Sequence, residues 1–220
     1  LPERTPPTDD PKRKEDFLLS IVPTDGKTPY KPRKIVEATV DRHSFFEIGH
    51  DWGRGMVCGF ARIDGHPVGI LAGDPFFLDG AWTADVCDKV TRHMDLCSMF
   101  HLPVVHFVDC PGFAVGVKAE TAGVTRAGVR AMTAIYQANV PVCSVVIRKA
   151  YGLAGSTMMN QSKTKWRYCW LYKKFEAIRS PFRTAESFLA EEIIDPRDTR
   201  PLLVDFVHHA VRITETGEFR

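Results

Sequence analysis

The sequence lacks the patterns that mark a membrane or secreted protein. No apolar run approaches the roughly 20 residues that a membrane-spanning helix needs. The N-terminal segment LPERTPPTDDPKRKEDF has neither an apolar core region nor a small-residue cleavage site. Its six cysteines form no C-x-x-C pair and no Cys/His cluster with zinc-finger spacing. These absences predict a soluble chain, cytoplasmic or in the mitochondrial matrix of a eukaryote, with free thiols and without a metal site.

Charge of one sign is not in excess either. The 29 Lys and Arg residues face 27 Asp and Glu, for a formal charge of +2, so no nucleic-acid partner is predicted. The chain has no G-x-G-x-x-G or G-x-x-x-x-G-K-[ST] phosphate loop and no G-x-S-x-G nucleophile elbow. Cys110 stands before a proline without an identifiable base and is interpreted as a packing residue. Nothing here indicates nucleophilic catalysis by a side chain.

What is present is an alternation of strand and helix signals, which predicts an α/β fold. Residues 1–33, rich in Pro, Lys and Asp, are interpreted as an extended N-terminal arm, and residues 34–220 as one domain. The dipeptide Asp64-Gly65 indicates a hairpin turn because both residues tolerate positive φ. The predicted elements are a helix at 34–41, a strand at 45–48, a hairpin over 55–73, a helix within 83–100, a strand at 103–108, a helix at 124–138, a strand at 141–147 and a helix around 203–211.

Two consecutive β-α units pass from strand to helix through turns that contain glycine. The first turn is in VDCPGFAVG (108–116), and the second is predicted as the loop GLAGS (152–156). Carboxyl ends of parallel strands lie at one edge of a sheet, so the turns are expected side by side. Amides unpaired at helix starts can hold an oxygen that carries negative charge, which predicts an oxyanion hole made of backbone alone. The alternative is plain turn geometry, because tight strand-to-helix turns commonly use Pro and Gly.

The run from VDCPGFAVG to RKAYGLAG, residues 108–155, resembles the C-terminal domain of the carboxyltransferase (beta) subunit of biotin-dependent acyl-CoA carboxylases, the propionyl-CoA and acetyl-CoA carboxylase group. That family carries D-x-P-G-F-x-x-G, a helix with R-x-G, then V-P and a strand that ends in R-K-A-Y-G, and this chain has each in order. Resemblance extends outward through YKPRKIVEATVD, FFEI, GFARIDGHPVGILAG and EEIIDPRDTRPLL. It implies the crotonase-like ββα superhelix, the ClpP/crotonase type.

The resemblance also implies a reaction. A carboxyl group would pass from carboxybiotin to the α-carbon of an acyl-CoA, with this chain providing the biotin side of the site. The implied cofactor is biotin on a separate carrier domain. The implied partners are the acyl-CoA substrate, the biotin carboxyl carrier protein, a biotin carboxylase subunit and further copies of the chain in a homo-oligomer. Two alternatives stay open: a biotin-dependent decarboxylase or transcarboxylase of the same fold, and a non-catalytic assembly module.

Residue roles follow from the resemblance by position. The backbone amides of both turns match the oxyanion hole that serves biotin in the family. The two residues that follow the first turn match positions that tune acyl preference. The residues assigned to catalysis or biotin are Gly112, Phe113, Gly116, Gly152, Leu153 and Ala154, and those assigned to acyl preference are Val117 and Lys118. Arg148 and Lys149 match the R-K pair, either at the site or as a cap on the strand end.

The chain also departs from the family pattern. Leu153 replaces a glycine of the second turn, and Lys118 stands where the family often has an acidic residue. The N-terminal domain that binds acyl-CoA in the family is absent. Near residues 170–171 the apolar strand and Gly-rich turn that the family places after the second loop are not found. The chain is therefore expected to be part of a longer subunit.

Overall fold

One sheet of seven strands forms the centre of the computed structural model, which describes residues 3–159, 166–171 and 190–216. The strands lie side by side in chain order, antiparallel from the first to the third and parallel from the third to the seventh. Their bounds are β1 (Phe46–Ile48), β2 (Met56–Ile63), β3 (His66–Gly73), β4 (Val104–Cys110), β5 (Val142–Ala150), β6 (Trp166–Trp170) and β7 (Glu192–Ile194).

Six α-helices connect or flank these strands in the described part of the chain. They are α1 (Pro32–Thr39), α2 (Ala84–Met99), α3 (Val117–Thr121), α4 (Val124–Gln137), α5 (Gly152–Met159) and α6 (Thr199–Thr216). The Thr83 hydroxyl caps α2 by accepting from the Val86 amide at 3.3 Å. One face of α2 is buried, with apolar residues at helical spacing: Val86, Val90, Met94 and Cys97. None of the helices described is long and apolar enough to cross a membrane.

The sheet is buried on both faces. Along β4, Val105 and Phe107 join one apolar core, which α1 and α6 cover, and Val104 and Val108 join the other, which α2 and α4 cover. This two-sided burial explains why the central strands are continuous apolar runs in the sequence. All six cysteines are buried and unpaired, as predicted.

The predicted hairpin is confirmed. β2 and β3 pair from Met56 with Gly73 to Ile63 with His66, and Asp64 and Gly65 take φ values of 49° and 78° at the turn. The Asp41 carboxylate accepts hydrogen bonds from the Asp64 amide at 3.1 Å and the Gly65 amide at 2.8 Å. A carboxylate that holds both turn amides fixes the register of the hairpin.

The N-terminal arm has little regular structure but is part of the core. Up to α1 the described residues contain one 3-10 turn, Asp16–Leu19. Leu18, Val22 and Tyr30 are buried in the core beneath α1 and α6. The buried Arg200 donates to the carbonyl of Asp10 and to the carboxylate of Asp41, so the arm is also tied down by charge.

The end of the sheet differs from the prediction. Residues 152–156 are not a loop, because α5 begins at Gly152, directly after β5. Two short strands are not among the predicted elements: β6 pairs in parallel with β5, and β7 with β6. Segments as short as β6 and β7 show almost no hydrophobic periodicity in the sequence. Their conformation is decided by pairing with the edge strand of the sheet. The segment expected to be missing near residues 170–171 stays a prediction, and residues 172–189 lie outside the described part of the chain.

Two histidines are buried among the apolar side chains between the sheet and α2. His93 packs its ring against Phe60 with centroids 5.3 Å apart, and His106 Nε2 has no hydrogen-bond partner among the described residues. Burial lowers the pKa of His93 to about 4 and that of His106 to about 3. Both imidazoles are therefore neutral in the folded protein near pH 7.

These depressed pKa values predict acid sensitivity. An unfolded chain protonates its histidines near pH 6.5, whereas the folded chain does not until about pH 4 or 3. Stability is thus fully present above pH 6.5 and falls by about 1.4 kcal/mol per pH unit per histidine as pH drops below that. His106→Leu should remove one of the two contributions to this slope in urea unfolding between pH 7 and 5. The exposed His50→Asn control should keep the full slope, and an unchanged slope in His106→Leu would contradict the prediction.

Candidate active site

The two glycine-containing turns lie next to each other, as the parallel strand order predicted. β4 and β5 pair in parallel, with Cys110 opposite Ala150 at their carboxyl ends. The Tyr151 amide then donates to the Cys110 carbonyl at 3.0 Å. A Cβ built on Gly112 would lie 3.8 Å from the Tyr151 carbonyl oxygen, which is ordinary contact distance. The exits of both strands therefore bring their turns together at one edge of the sheet.

Trp82 holds the first turn from one side. Its amide donates to the Gly112 carbonyl at 3.0 Å, and its carbonyl accepts from the Ala114 amide at 2.9 Å. Trp82 and Phe113 thus form a parallel bridge in which Gly112 and Ala114 make the hydrogen bonds to Trp82. The amide and carbonyl of Phe113 itself make no hydrogen bond to Trp82. The Phe113 amide has no acceptor in the described part of the chain and faces away from Trp82.

The Phe113 side chain serves packing. Its ring meets that of Trp82 edge to face at 6.0 Å and lies over Gly128 of α4, where an added Cβ would come within 2.8 Å of the ring. Gly128 is thus required for close approach, and the ring locks the backbone of the first turn. At the site itself, only the backbone amide of Phe113 remains available to a ligand.

The second turn is the first turn of helix α5. Gly152 adopts φ 62°, and no described atom would lie within 4 Å of a Cβ added there. A Cβ on Gly155, in contrast, would lie 2.3 Å from the Ala150 carbonyl carbon, so the helix packs directly on the end of β5. The amides of Gly152, Leu153 and Ala154 are helix-start donors and find no acceptor among the described residues.

The Gly112 amide is partly engaged. It points at the Cys110 sulfur at 3.3 Å, and sulfur is a weak acceptor. Burial raises the pKa of the Cys110 thiol to about 12, so this thiol is protonated at neutral pH. Cys110 is a packing residue, as predicted, and no thiolate nucleophile forms there. The donors without an acceptor among the described residues are those of Phe113 and of the start of α5.

A buried ion pair lies directly behind the turns. Arg148 Nε lies 3.1 Å and Nη2 3.1 Å from Asp109 Oδ2, and both side chains are almost completely buried. The Lys149 amide donates to the other oxygen, Asp109 Oδ1, at 3.1 Å. One carboxylate therefore ties the last residues of β4 to those of β5. Gly73 and Gly80 allow this, since a Cβ on either would lie within 2.7 Å of the Asp109 carbonyl oxygen.

Two further segments complete the charge network. Arg148 Nη1 donates to the Thr28 carbonyl of the N-terminal arm at 2.9 Å, and the guanidinium lies 5.1 Å from the centre of the Tyr30 ring. The Lys149 ammonium pairs with the carboxylate of Asp79, a non-glycine residue at φ 57°. Arg148 and Lys149 thus position the strand ends, and their charges are neutralised inside the network.

The remaining residues assigned from the sequence lie around the turns. Gly116, at φ 104°, caps the short helix α3, and Val117 and Lys118 begin it fully in solvent. The Ala154 methyl group is buried, so only its amide can reach a ligand. Apolar side chains form an exposed rim beside the amides: Val115 (89 % exposed), Val117 (83 %) and Leu153 (61 %).

Sequence reasoning missed three residues that build the site. Trp82 precedes α2 by two positions and carries no motif of its own. Asp109 stands inside a strand that is predicted to be buried, where an acidic residue is costly unless it is paired. Its position in the sequence therefore indicated a buried charge partner. Gly155 is the second glycine of GLAG, and its requirement for close helix-strand packing appears only when Ala150 is in place.

Such a sheet, with two amide-bearing turns at the exits of neighbouring parallel strands, defines the crotonase-like fold. The chain belongs to a family within it: the carboxyl transferase domain family matches residues 2–177.

Known relatives agree with this membership. The chain is 30% identical to the methylmalonyl-CoA decarboxylase subunit alpha of Veillonella parvula, over 90% of this chain and 44% of that protein. It is also 30% identical to the propionyl-CoA carboxylase carboxyltransferase subunit of Haloferax mediterranei, over 92% of this chain and 46% of that protein. The crystal structure of transcarboxylase 12S, a hexamer assembly with methylmalonyl-coenzyme A and methylmalonic acid bound, superimposes with a TM-score of 0.88 at 28% identity. That match covers 96% of this chain and 47% of the other. The chain thus spans about half the length of these relatives.

The ion pair behind the turns yields a stability prediction. Asp109→Asn would remove the buried charge partner of Arg148 and leave only the half-exposed Asp79 at 3.5 Å, and breaking such a buried pair costs about 3 to 5 kcal/mol. Asp88→Asn is the matched control because Asp88 pairs with Arg130 at 2.6 Å on the surface, where both side chains are about half exposed. An exposed pair contributes less than about 1 kcal/mol. Urea unfolding of the two variants should separate them by more than 2 kcal/mol, by the difference of these estimates, and equal losses would show that Asp109 is not the anchor.

Proposed function

We propose that this chain provides the biotin side of a carboxyltransferase site that moves a carboxyl group from carboxybiotin to the α-carbon of an acyl-CoA. The observation that carries the proposal is the pair of neighbouring turns whose amides lack acceptors, namely Phe113 on one side and Gly152 and Leu153 on the other. Membership of the carboxyl transferase family supports the same reaction class.

The geometry suits the ureido oxygen of biotin. A planar carbonyl oxygen accepts two hydrogen bonds, and the site offers N–H groups from two converging backbone segments. Gly112 and Gly152 keep side-chain atoms away from the place where that oxygen would lie. The start of α5 adds the positive end of a helix dipole. Gly116 and Ala154 are proposed to complete the wall of this cavity through their backbone.

Biotin, when bound, supplies the carboxyl group and the base for the α-proton. The residues of this chain then have three tasks. The amides of Phe113, Gly152 and Leu153 stabilise negative charge as it develops on the bound oxygen, without reorganisation. The Asp109–Arg148 pair holds the two turns at a fixed separation. The apolar rim excludes water, which strengthens these hydrogen bonds.

The rest of the site is proposed to come from partners. Val115, Val117 and Leu153 form an apolar surface beside the amides, of the kind that another protein surface covers. We assign this role to an acyl-CoA-binding half that the relatives' greater length would contain, supplied within a homo-oligomer. Val117 and Lys118 would then border the acyl group and influence its selection. A biotin carboxyl carrier and a biotin carboxylase subunit would deliver the charged cofactor, and the cytoplasm or mitochondrial matrix is the proposed location.

A second candidate runs the transfer in the other direction. The relative in Veillonella parvula is a decarboxylase subunit, and the matching crystal structure is of a transcarboxylase. The same amides would serve either direction, because they stabilise charge on an oxygen that is common to both. Supplying methylmalonyl-CoA and free biotin carrier, and following loss of the carboxyl group, distinguishes this candidate from net carboxylation.

Gly152→Ala tests the role of the amides. The added methyl group would occupy the space in front of the α5 donors, and carboxyl transfer should fall by about 10²-fold in kcat/KM. Gly123→Ala is the matched control, since Gly123 lies at the start of a helix as Gly152 does, has φ 75° and has open space around a Cβ. Each variant should lose about 1 to 2 kcal/mol of stability from the left-handed backbone.

Transfer would be measured as incorporation of labelled bicarbonate into short acyl-CoAs, with biotin carboxylase, carrier and the acyl-CoA-binding half present. Equal activity of the Gly152→Ala and Gly123→Ala variants would refute the proposed oxyanion hole. Absence of turnover by the complete wild-type assembly, in both directions, would favour the non-catalytic assembly module instead.

A further inference from the structure

Three potential metal ligands meet at the tip of the β2–β3 hairpin. Asp64 lies in the turn, His66 begins β3, and His208 reaches them from α6. This place is at the amino end of β3, whereas the candidate active site lies at the carboxyl ends of the parallel strands. The cluster therefore belongs to a different surface from the amide-bearing turns.

The three side chains already point toward a common centre. Their ligand atoms all lie within 4.8 Å of one another, and His208 Nε2 lies 2.8 Å from Asp64 Oδ2. The imidazole rings of His66 and His208 meet edge to face with centroids 5.6 Å apart. Donors bound to one tetrahedral Zn²⁺ at about 2.0 to 2.2 Å are separated by about 3.3 to 3.6 Å. Small side-chain rotations would thus bring all three onto one ion.

The cluster opens to solvent on one side. Asp64 is buried, His66 is half-buried and His208 is exposed. A cavity of about 200 Å³ beside His66, lined also by Glu3, His101 and Glu215, leaves room for a water ligand.

The Asp64 carboxylate is already paired with a cationic side chain, that of Arg4. Arg4 of the N-terminal arm donates from Nη2 to Asp64 Oδ2 at 2.6 Å and from Nε to the Asp64 carbonyl at 3.0 Å. The Arg4 side chain is about half exposed, at 47%, so this pair is weak and exchangeable. A divalent ion that binds Asp64 would displace the guanidinium by charge repulsion.

We propose that Asp64, His66 and His208 form a binding site for one divalent transition-metal ion such as Zn²⁺, in competition with Arg4. Two imidazoles, one carboxylate and an open position are a donor set that suits such an ion. Because Arg4 and Thr5 hold residues 3–5 on the hairpin through Asp64 and Gly65, metal binding would release the start of the arm.

The neighbouring histidine supplies the control. His209 follows His208 but turns to another face of α6, where its Nδ1 lies 2.7 Å from the Asp205 carbonyl. Consecutive helix positions point to different faces, so His208 and His209 do not belong to one site. The site arises instead from His208 and the distant hairpin.

Zn²⁺ titration of the purified, untagged chain, by calorimetry and with Co²⁺ absorption as a second probe, tests the proposal. We expect one ion per chain and nitrogen/oxygen-type Co²⁺ bands. His66→Asn and His208→Asn should each weaken binding by about 10-fold or more, while His209→Asn should not change it. Arg4→Ala should tighten binding by about 3-fold or more because it removes the competing charge.

Several results would overturn the proposal. Wild-type chain that binds no ion, or binding that appears only in the Arg4→Ala variant, would mean that Arg4 is the permanent partner of Asp64. Equal affinities in wild type and in both His66→Asn and His208→Asn would place the ion elsewhere. Sulfur-to-cobalt charge-transfer bands would identify one of the six buried cysteines as the ligand.

Discussion

The pairing of β4 with β5 at their carboxyl ends is the constraint on which the candidate site depends. Asp109 joins the two strands by accepting from the Lys149 amide and by pairing with Arg148, and the Tyr151 amide continues the pairing through the Cys110 carbonyl. The first turn and the start of α5 follow within two residues of these contacts. A shift of one strand against the other would move one set of amides away from the other, because each turn follows directly from its strand.

This arrangement separates positioning from chemistry. Charged side chains are placed behind the turns and neutralise one another, whereas the surface in front offers main-chain donors and apolar groups. In the proposed reaction, an oxyanion that develops there would meet fixed dipoles. The burial of Asp109 and Arg148 is costly in desolvation, and their hydrogen bonds to the strand ends and to the arm offset that cost. The arm is thus part of the site's support, although its sequence resembles a linker.

Much of the fold could be predicted from local patterns. The Asp64-Gly65 turn and the helices α2 and α4 are encoded by residues a few positions apart, and the structure confirms them. The α5 start is predicted as a loop because two glycines within four residues disfavour helix in isolation, while packing of Gly155 on Ala150 stabilises it in the protein. β6 and β7 were missed because three to five residues without alternation become strand only by pairing with an existing edge.

The sequence by itself determined the order of the main elements as far as β5, the two glycine turns and the family to which they point, since each depends on residue type at short spacing. Only the tertiary structure decided which amides lack acceptors, that Trp82 and Asp109 hold the turns, and that His208 meets the hairpin 144 positions before it in the chain. Those facts depend on long-range packing and on which donor pairs with which acceptor. Local sequence does not encode these pairings, because they depend on distances between segments that are far apart along the chain.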